Sequence, residues 1–252
     1  MAEHQIVDLA VAGSNPASHP NSFLVATSIA GGGSISAAKD SNFGGWGITI
    51  GMNQVATEQL TEFRRQTDLL VQEGYPALAG LTDEAFRAII APLELRLPPK
   101  PSVLVVTGAL VPVPKLIELT ALNGKRGFTT MEVHDILGFT PTPDLGVPEA
   151  AVYLITDVDT GGKTLNVRPD EALPQILAGD RTPLTLEEGL AVVTHHPDWL
   201  RTRNCFEMLG SSAGDRRVTG IWVSKGAPRL GWCWLGNPHT WLGAASAARR
   251  IS

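Results

Sequence analysis

Apolar residues recur at helical spacing in the first half of this chain and alternate around tight turns in the second. The two patterns never interleave in a regular strand–helix–strand rhythm. That order constrains the fold more than any other feature. A doubly wound parallel sheet needs a helix between successive strands, so it is disfavoured. The expected architecture is α+β, a single domain with helices in the N-terminal half and antiparallel hairpins toward the C-terminus.

Leu60, Phe63, Leu70 and Val71 predict a helix over residues 53–72, stopped by Gly74. Thr82 reads as the N-cap of a second helix over 83–90, with acids in its first turn and Pro92 at its end. Residues 103–107 form a short apolar run that predicts a buried strand. Residues 115–122 read as helical before Asn123-Gly124, and Thr130 as the cap of a short helix through Leu137. Residues 152–156 and 163–167 predict a hairpin turning at Asp159-Thr160-Gly161-Gly162. Residues 170–177 and 186–194 read as helices, the second opened by Thr185 with Glu187 and Glu188 following. Residues 218–224 and 229–235 predict a second hairpin around Lys225-Gly226-Ala227-Pro228.

The net charge of −5 gives no general attraction to nucleic acid or anionic membranes, so neither is an expected partner. No apolar run approaches the roughly 20 residues that a membrane span needs. Residues 23–30 are too short, follow no basic stretch and run into Gly31-Gly32-Gly33, so they read as neither signal peptide nor anchor. Cys205 and Cys233 are the only cysteines and read as two reduced thiols, which makes the cytoplasm the expected location. No cofactor is expected, and oligomeric state is left open.

Residues 1–51 differ from the rest: rich in Gly, Ser, Ala and Asn, with no sustained period. The expectation is a disordered segment, or an extension from a start assigned too far upstream, with Met52 as the natural start. Ala12-Gly13-Ser14-Asn15-Pro16-Ala17 can be back-translated to a self-complementary stem closed over TTCGAAT, like the T-arm of a transfer RNA gene. The expected domain is 52–248, followed by a tail at 249–252.

Candidate sites concentrate near the C-terminus. Trp199, Trp222, Trp232, Trp234 and Trp241 lie there with Arg201, Arg203, Arg216 and Arg217. Trp232 and Trp234 share one strand face by the two-residue period. Aromatic rings and guanidinium groups together take flat or anionic ligands; the competing expectation is that the same residues are core, with arginine stems packed along it. The expected ligand-binding set is Arg201, Arg203, Asn204, Arg216, Arg217, Trp232, Trp234, Asn237, His239 and Trp241. Asn237 and His239 stand on the loop after the second hairpin, a position suited to binding. His239 and Asp215 are the catalytic candidates, His239 as general base and Asp215 orienting it. His195-His196 ends a helix, where the dipole alone favours an imidazolium.

Several shorter patterns carry little. Gly210-Ser211-Ser212-Ala213-Gly214 matches G-x-S-x-G, but the following Asp215-Arg216-Arg217 leads into a strand rather than the helix a nucleophile elbow needs. Asp157-Val158-Asp159-Thr160-Gly161-Gly162 resembles a calcium loop, yet Arg168 stands where a bidentate Glu belongs. It also resembles a phosphatase aspartate motif of the haloacid-dehalogenase type, which normally opens its domain. A turn explains its Asp and Gly residues by backbone geometry alone. Cys205, Cys233 and His239 lack metal-ligand spacing, so no metal is expected.

Leu200-Arg201-Thr202-Arg203-Asn204-Cys205-Phe206, Gly214-Asp215-Arg216-Arg217, Trp222-Val223-Ser224-Lys225-Gly226 and Gly231-Trp232-Cys233-Trp234, followed by 236–243, resemble an uncharacterised actinobacterial family, a domain of unknown function. The resemblance runs from Met52 to Ala248. It implies a bacterial cytoplasmic domain and brings no activity with it. The functional expectation is a binding module for an anionic small molecule or a protein partner. The alternatives are an enzyme on an anionic metabolite and a purely structural or interaction protein.

Overall fold

The structure, a computed structural model, describes residues 44–252, which belong to one compact unit. Most of the expected N-terminal extension, residues 1–43, lies outside the described residues. The first helix, α1 (Gly44–Gln72), begins upstream of the expected residue 53. No proline interrupts 44–52, and each residue added to an existing helix gains a backbone hydrogen bond. Gly74, at φ 86°, ends this segment as expected. The remaining helices are α2 (Tyr75–Leu78), α3 (Asp83–Ile90), α4 (Val113–Leu119), α5 (Val133–Gly138), α6 (Pro169–Ala178) and α7 (Leu186–His195). Thr82 caps α3 by accepting from the Ala85 amide at 3.2 Å. Thr130 does not cap α5; its hydroxyl instead receives the Arg229 guanidinium.

The strands of the two main sheets, in chain order, are β1 (Ser102–Val106), β2 (Phe128–Thr129), β3 (Val152–Thr156), β4 (Cys205–Met208), β5 (Arg217–Ser224), β6 (Ala227–Trp234), β7 (Leu242–Ala244) and β8 (Arg249–Ile251). The first sheet has the order β1-β3-β8, antiparallel throughout. The second has the order β7-β4-β5-β6-β2, with antiparallel pairs at its centre and a parallel pair at each edge.

Only the second expected hairpin forms. Lys225 and Gly226 both take positive φ, 54° and 77°, which closes β5 onto β6 in two residues and admits Pro228 into the strand. The first does not form. Residues 162–164 make a 3-10 turn instead of opening a return strand. Both edges of β3 are occupied by β1 and β8, and Gly161 sits so close to the Gly243–Ala244 backbone that a Cβ would meet it at 2.5 Å. The expected tail is likewise a strand: β8 pairs with β3.

Helix α7 packs against β1 of the first sheet and β5 of the second. Every residue in it except Glu187 is buried. Its capping box places Glu188, fully buried, where the carboxylate accepts from the Thr185 amide at 2.7 Å and the Tyr153 hydroxyl at 2.9 Å. Arg250 of β8 completes this carboxylate with two bonds, 2.6 and 2.9 Å, and spends its remaining donors on Thr182, Pro183 and Leu145. The free edge of β1 is satisfied by one side chain of α1. Gln66 donates to the Ser102 carbonyl at 2.8 Å and accepts from the Leu104 amide at 2.7 Å, as a neighbouring strand would.

Candidate functional site

Strand register distributes the candidate residues. On one face of the β5–β6 pair stand Arg217 opposite Trp234, Thr219 opposite Trp232 and Ile221 opposite Leu230. On the other stand Val218 opposite Cys233, Gly220 opposite Gly231 and Trp222 opposite Arg229. Trp232 and Trp234 therefore share a face, as the two-residue period requires. They meet edge to face at 5.1 Å and are 38% and 44% exposed, so they are not core. Arg217 lies over Trp232 and Phe139 and is held by Asp215 at 2.8 Å and Asp135 at 2.9 Å. Arg216 reaches toward Asp170 at 3.9 Å.

Arg201, Arg203 and Asn204 lie at the other end of this sheet. Phe206 of β4 pairs with Ile221, so the residues before β4 sit level with the end of β5, whereas Arg217 begins it. At about 3.4 Å per residue the two groups are separated by roughly 20 Å of strand. The four arginines do not share one cleft.

A cleft of about 430 Å³ does open beside Arg201 and Asn204. One wall is the Asp157–Thr160 segment backed by Arg181; the other carries Trp199, Arg201 and Asn204. Asp157 adopts φ 52°, and its hydrogen bond from Lys100, 2.9 Å, holds its carboxyl below the usual range. Arg181 is committed to Ser246 and the Asp157 carbonyl. Trp199 stacks on His196 with centroids 4.2 Å apart. Arg201 donates its Nε to the Asp198 carbonyl at 3.1 Å, and its terminal nitrogens have no partner among the described residues. Asn204 donates to the Thr160 hydroxyl at 3.2 Å, and its Oδ1 is buried without a donor. Arg203 is exposed just outside.

The opposite face of the sheet holds a second convergence. Glu207 of β4 lies opposite Gly220, on the face of Gly231 and Cys233. The loop after β6 returns His239 to the same place, and the ligating atoms of Glu207, Cys233 and His239 lie within 4.8 Å of one another. Burial pushes the Glu207 carboxyl up to about 8. Burial and the adjacent Glu207 also push the Cys233 thiol up, and burial holds the His239 imidazole below its ordinary value. Trp241 packs edge-on against Trp222 at 5.9 Å and lies 5.4 Å from the His239 ring. Asn237 is exposed on the same loop.

The expected His239–Asp215 pair is not formed, because Asp215 is taken up by Arg217 through its side chain and backbone. Cys205 also leaves the cluster: its thiol donates to the Arg201 carbonyl at 3.1 Å. Glu207 escaped sequence reasoning. The available signal was strand period, which puts it on the same face as Cys205, two residues earlier. Ser212 stands in a two-residue strand paired with Thr140, not on an elbow between strand and helix.

Among the described residues no helix is long and apolar enough to cross a membrane. No curated protein and no solved structure matches this chain. A family model described as a family of unknown function (DUF5701) matches residues 69–252, and the chain belongs to that family.

Proposed function

We propose that this protein binds a small polar molecule carrying an anionic group, in the cleft between the Asp157–Thr160 segment and Arg201. The observation that carries this reading is Arg201, an exposed residue lining the cleft whose terminal nitrogens have no protein partner among the described residues. The cleft volume lies in the range of small-molecule sites. Arg201 would take the anion in a two-toothed contact. The carboxylates of Asp157 and Asp159 would accept from hydroxyl or amine donors at the other end of the ligand. Hydroxy acids, amino acids and sugar phosphates fit this pattern. The free thiols Cys205 and Cys233 support a reducing compartment such as the cytoplasm for this binding.

A thermal-shift screen of such compounds tests the reading. A binder present at a hundredfold excess over its dissociation constant should stabilise the protein by about 2.7 kcal/mol. In Arg201→Gln the shift should shrink to about 0.3–1.4 kcal/mol at the same ligand concentration. A shift of unchanged size in Arg201→Gln places the ligand elsewhere.

The exposed Trp232 and Trp234 favour a second reading, a protein-binding surface. In that case Trp234→Ala would leave the melting temperature unchanged while abolishing association with the partner.

A further inference from the structure

We propose that Glu207, Cys233 and His239 form a transition-metal site of the zinc class with one open coordination position. Three chain segments supply the donors: β4, β6 and the loop that follows β6. Two of the three present a buried polar atom with no partner, Glu207 Oε1 and His239 Nε2. Glu207 is only 3% exposed, so water does not satisfy it from bulk. Buried polar atoms are nearly always partnered in folded proteins, and two orphans on residues of one cluster point to a missing common partner.

The donor set selects the kind of partner. A thiolate sulfur, an imidazole nitrogen and a carboxylate oxygen suit zinc and its first-row neighbours, whereas calcium and magnesium take oxygen alone. A thiolate and a carboxylate bring two negative charges, so a divalent ion leaves the buried assembly neutral. Tetrahedral ligands stand about 3.4 Å apart, so the present 4.8 Å spread closes with side-chain adjustments of about an ångström. Three protein ligands leave a fourth position for water or a ligand atom.

The surroundings are built to hold this geometry. Gly220 and Gly231 pair across β5 and β6 and leave room on the sheet surface beside the cluster, which the Trp222 ring fills. The Trp222 ring lies against Gly231 so closely that a Cβ there would meet it at 2.2 Å. Trp241, packed edge-on against Trp222, then lies on one side of the His239 ring. The His239 carbonyl accepts from the Asn166 amide at 2.8 Å, and the Asn237 amide donates to the Trp234 carbonyl at 3.0 Å, so the loop backbone is anchored on both sides of its turn. A thiol–imidazole–carboxylate catalytic relay is the rival use of these residue types. It needs the imidazole hydrogen-bonded to the thiol or carboxyl, and His239 Nε2 bonds neither.

The test uses the full chain after treatment with a chelator, titrated with Co²⁺ and then with Zn²⁺. One equivalent of Co²⁺ should produce a sulfur-to-cobalt charge-transfer band and the visible bands of a tetrahedral ion, and Zn²⁺ should bleach both. Cys233→Ser should lose the charge-transfer band, while Cys205→Ser should keep it. Glu207→Gln and His239→Gln should each weaken binding by about tenfold or more. Zn²⁺ should raise the melting temperature of the wild-type chain. The wild-type result stands whether or not each variant folds. No charge-transfer band in the wild-type chain, or a band that Cys205→Ser abolishes and Cys233→Ser spares, would overturn the proposal.

Discussion

His195 shows at the scale of one residue how burial overrides a local preference. Its place in the last turn of α7 favours an imidazolium through the helix dipole. The ring is instead buried, and desolvation drives its value down to about 3, while Nε2 meets the Leu104 carbonyl at 2.9 Å. His196 and Arg65 press in the same direction, and Glu62 opposes them. The folded-state value lies below the unfolded one of about 6.5, so the stability it contributes is present above pH 6.5 and is lost as pH falls toward 3. Between pH 7 and 4.5 the wild-type chain should lose about 2 kcal/mol more than His195→Gln, read from urea midpoints at each pH. Equal losses would mean that the ring takes up its proton in the fold as readily as in the unfolded chain.

Elements differ in how far the sequence displays them. The capping box of α7, the Thr82 cap of α3 and the Lys225-Gly226 turn rest on side chains within four positions of one another, so each was legible. Strand β8 was not. Arg249, Arg250 and Ile251 look like a polar end, and their pairing depends on β3, nearly a hundred residues earlier. The lost first hairpin has the same cause, since distant strands occupy both edges of β3. The buried Glu188–Arg250 pair makes β8 testable. Arg250→Ala strands a buried carboxylate, which costs about 3–5 kcal/mol. For a domain of this size that is a fall of about 10 °C in melting temperature. Adding Glu188→Gln should recover part of it by removing the unpaired charge. An unchanged melt for Arg250→Ala would show that β8 does not hold the first sheet together.

At the scale of the whole molecule, the candidate residues were legible as types and illegible as neighbours. The tryptophans, arginines and His239 were marked by composition, but register divides them among an exposed Trp–Arg patch, the Arg201 cleft and the Glu207 cluster. The parallel pairing of β7 with β4 and the return of the loop after β6 bring these places about, and no local pattern encodes either. The Arg201 cleft is proposed to bind an anionic small molecule. Isothermal titration of the strongest compound from the thermal-shift screen into wild type and Arg201→Gln tests it most directly. Losing a charge-assisted contact should weaken binding by about 1.5–3 kcal/mol, roughly 10- to 150-fold, with the unliganded melting temperature unchanged. Equal affinity in the two proteins would contradict the claim.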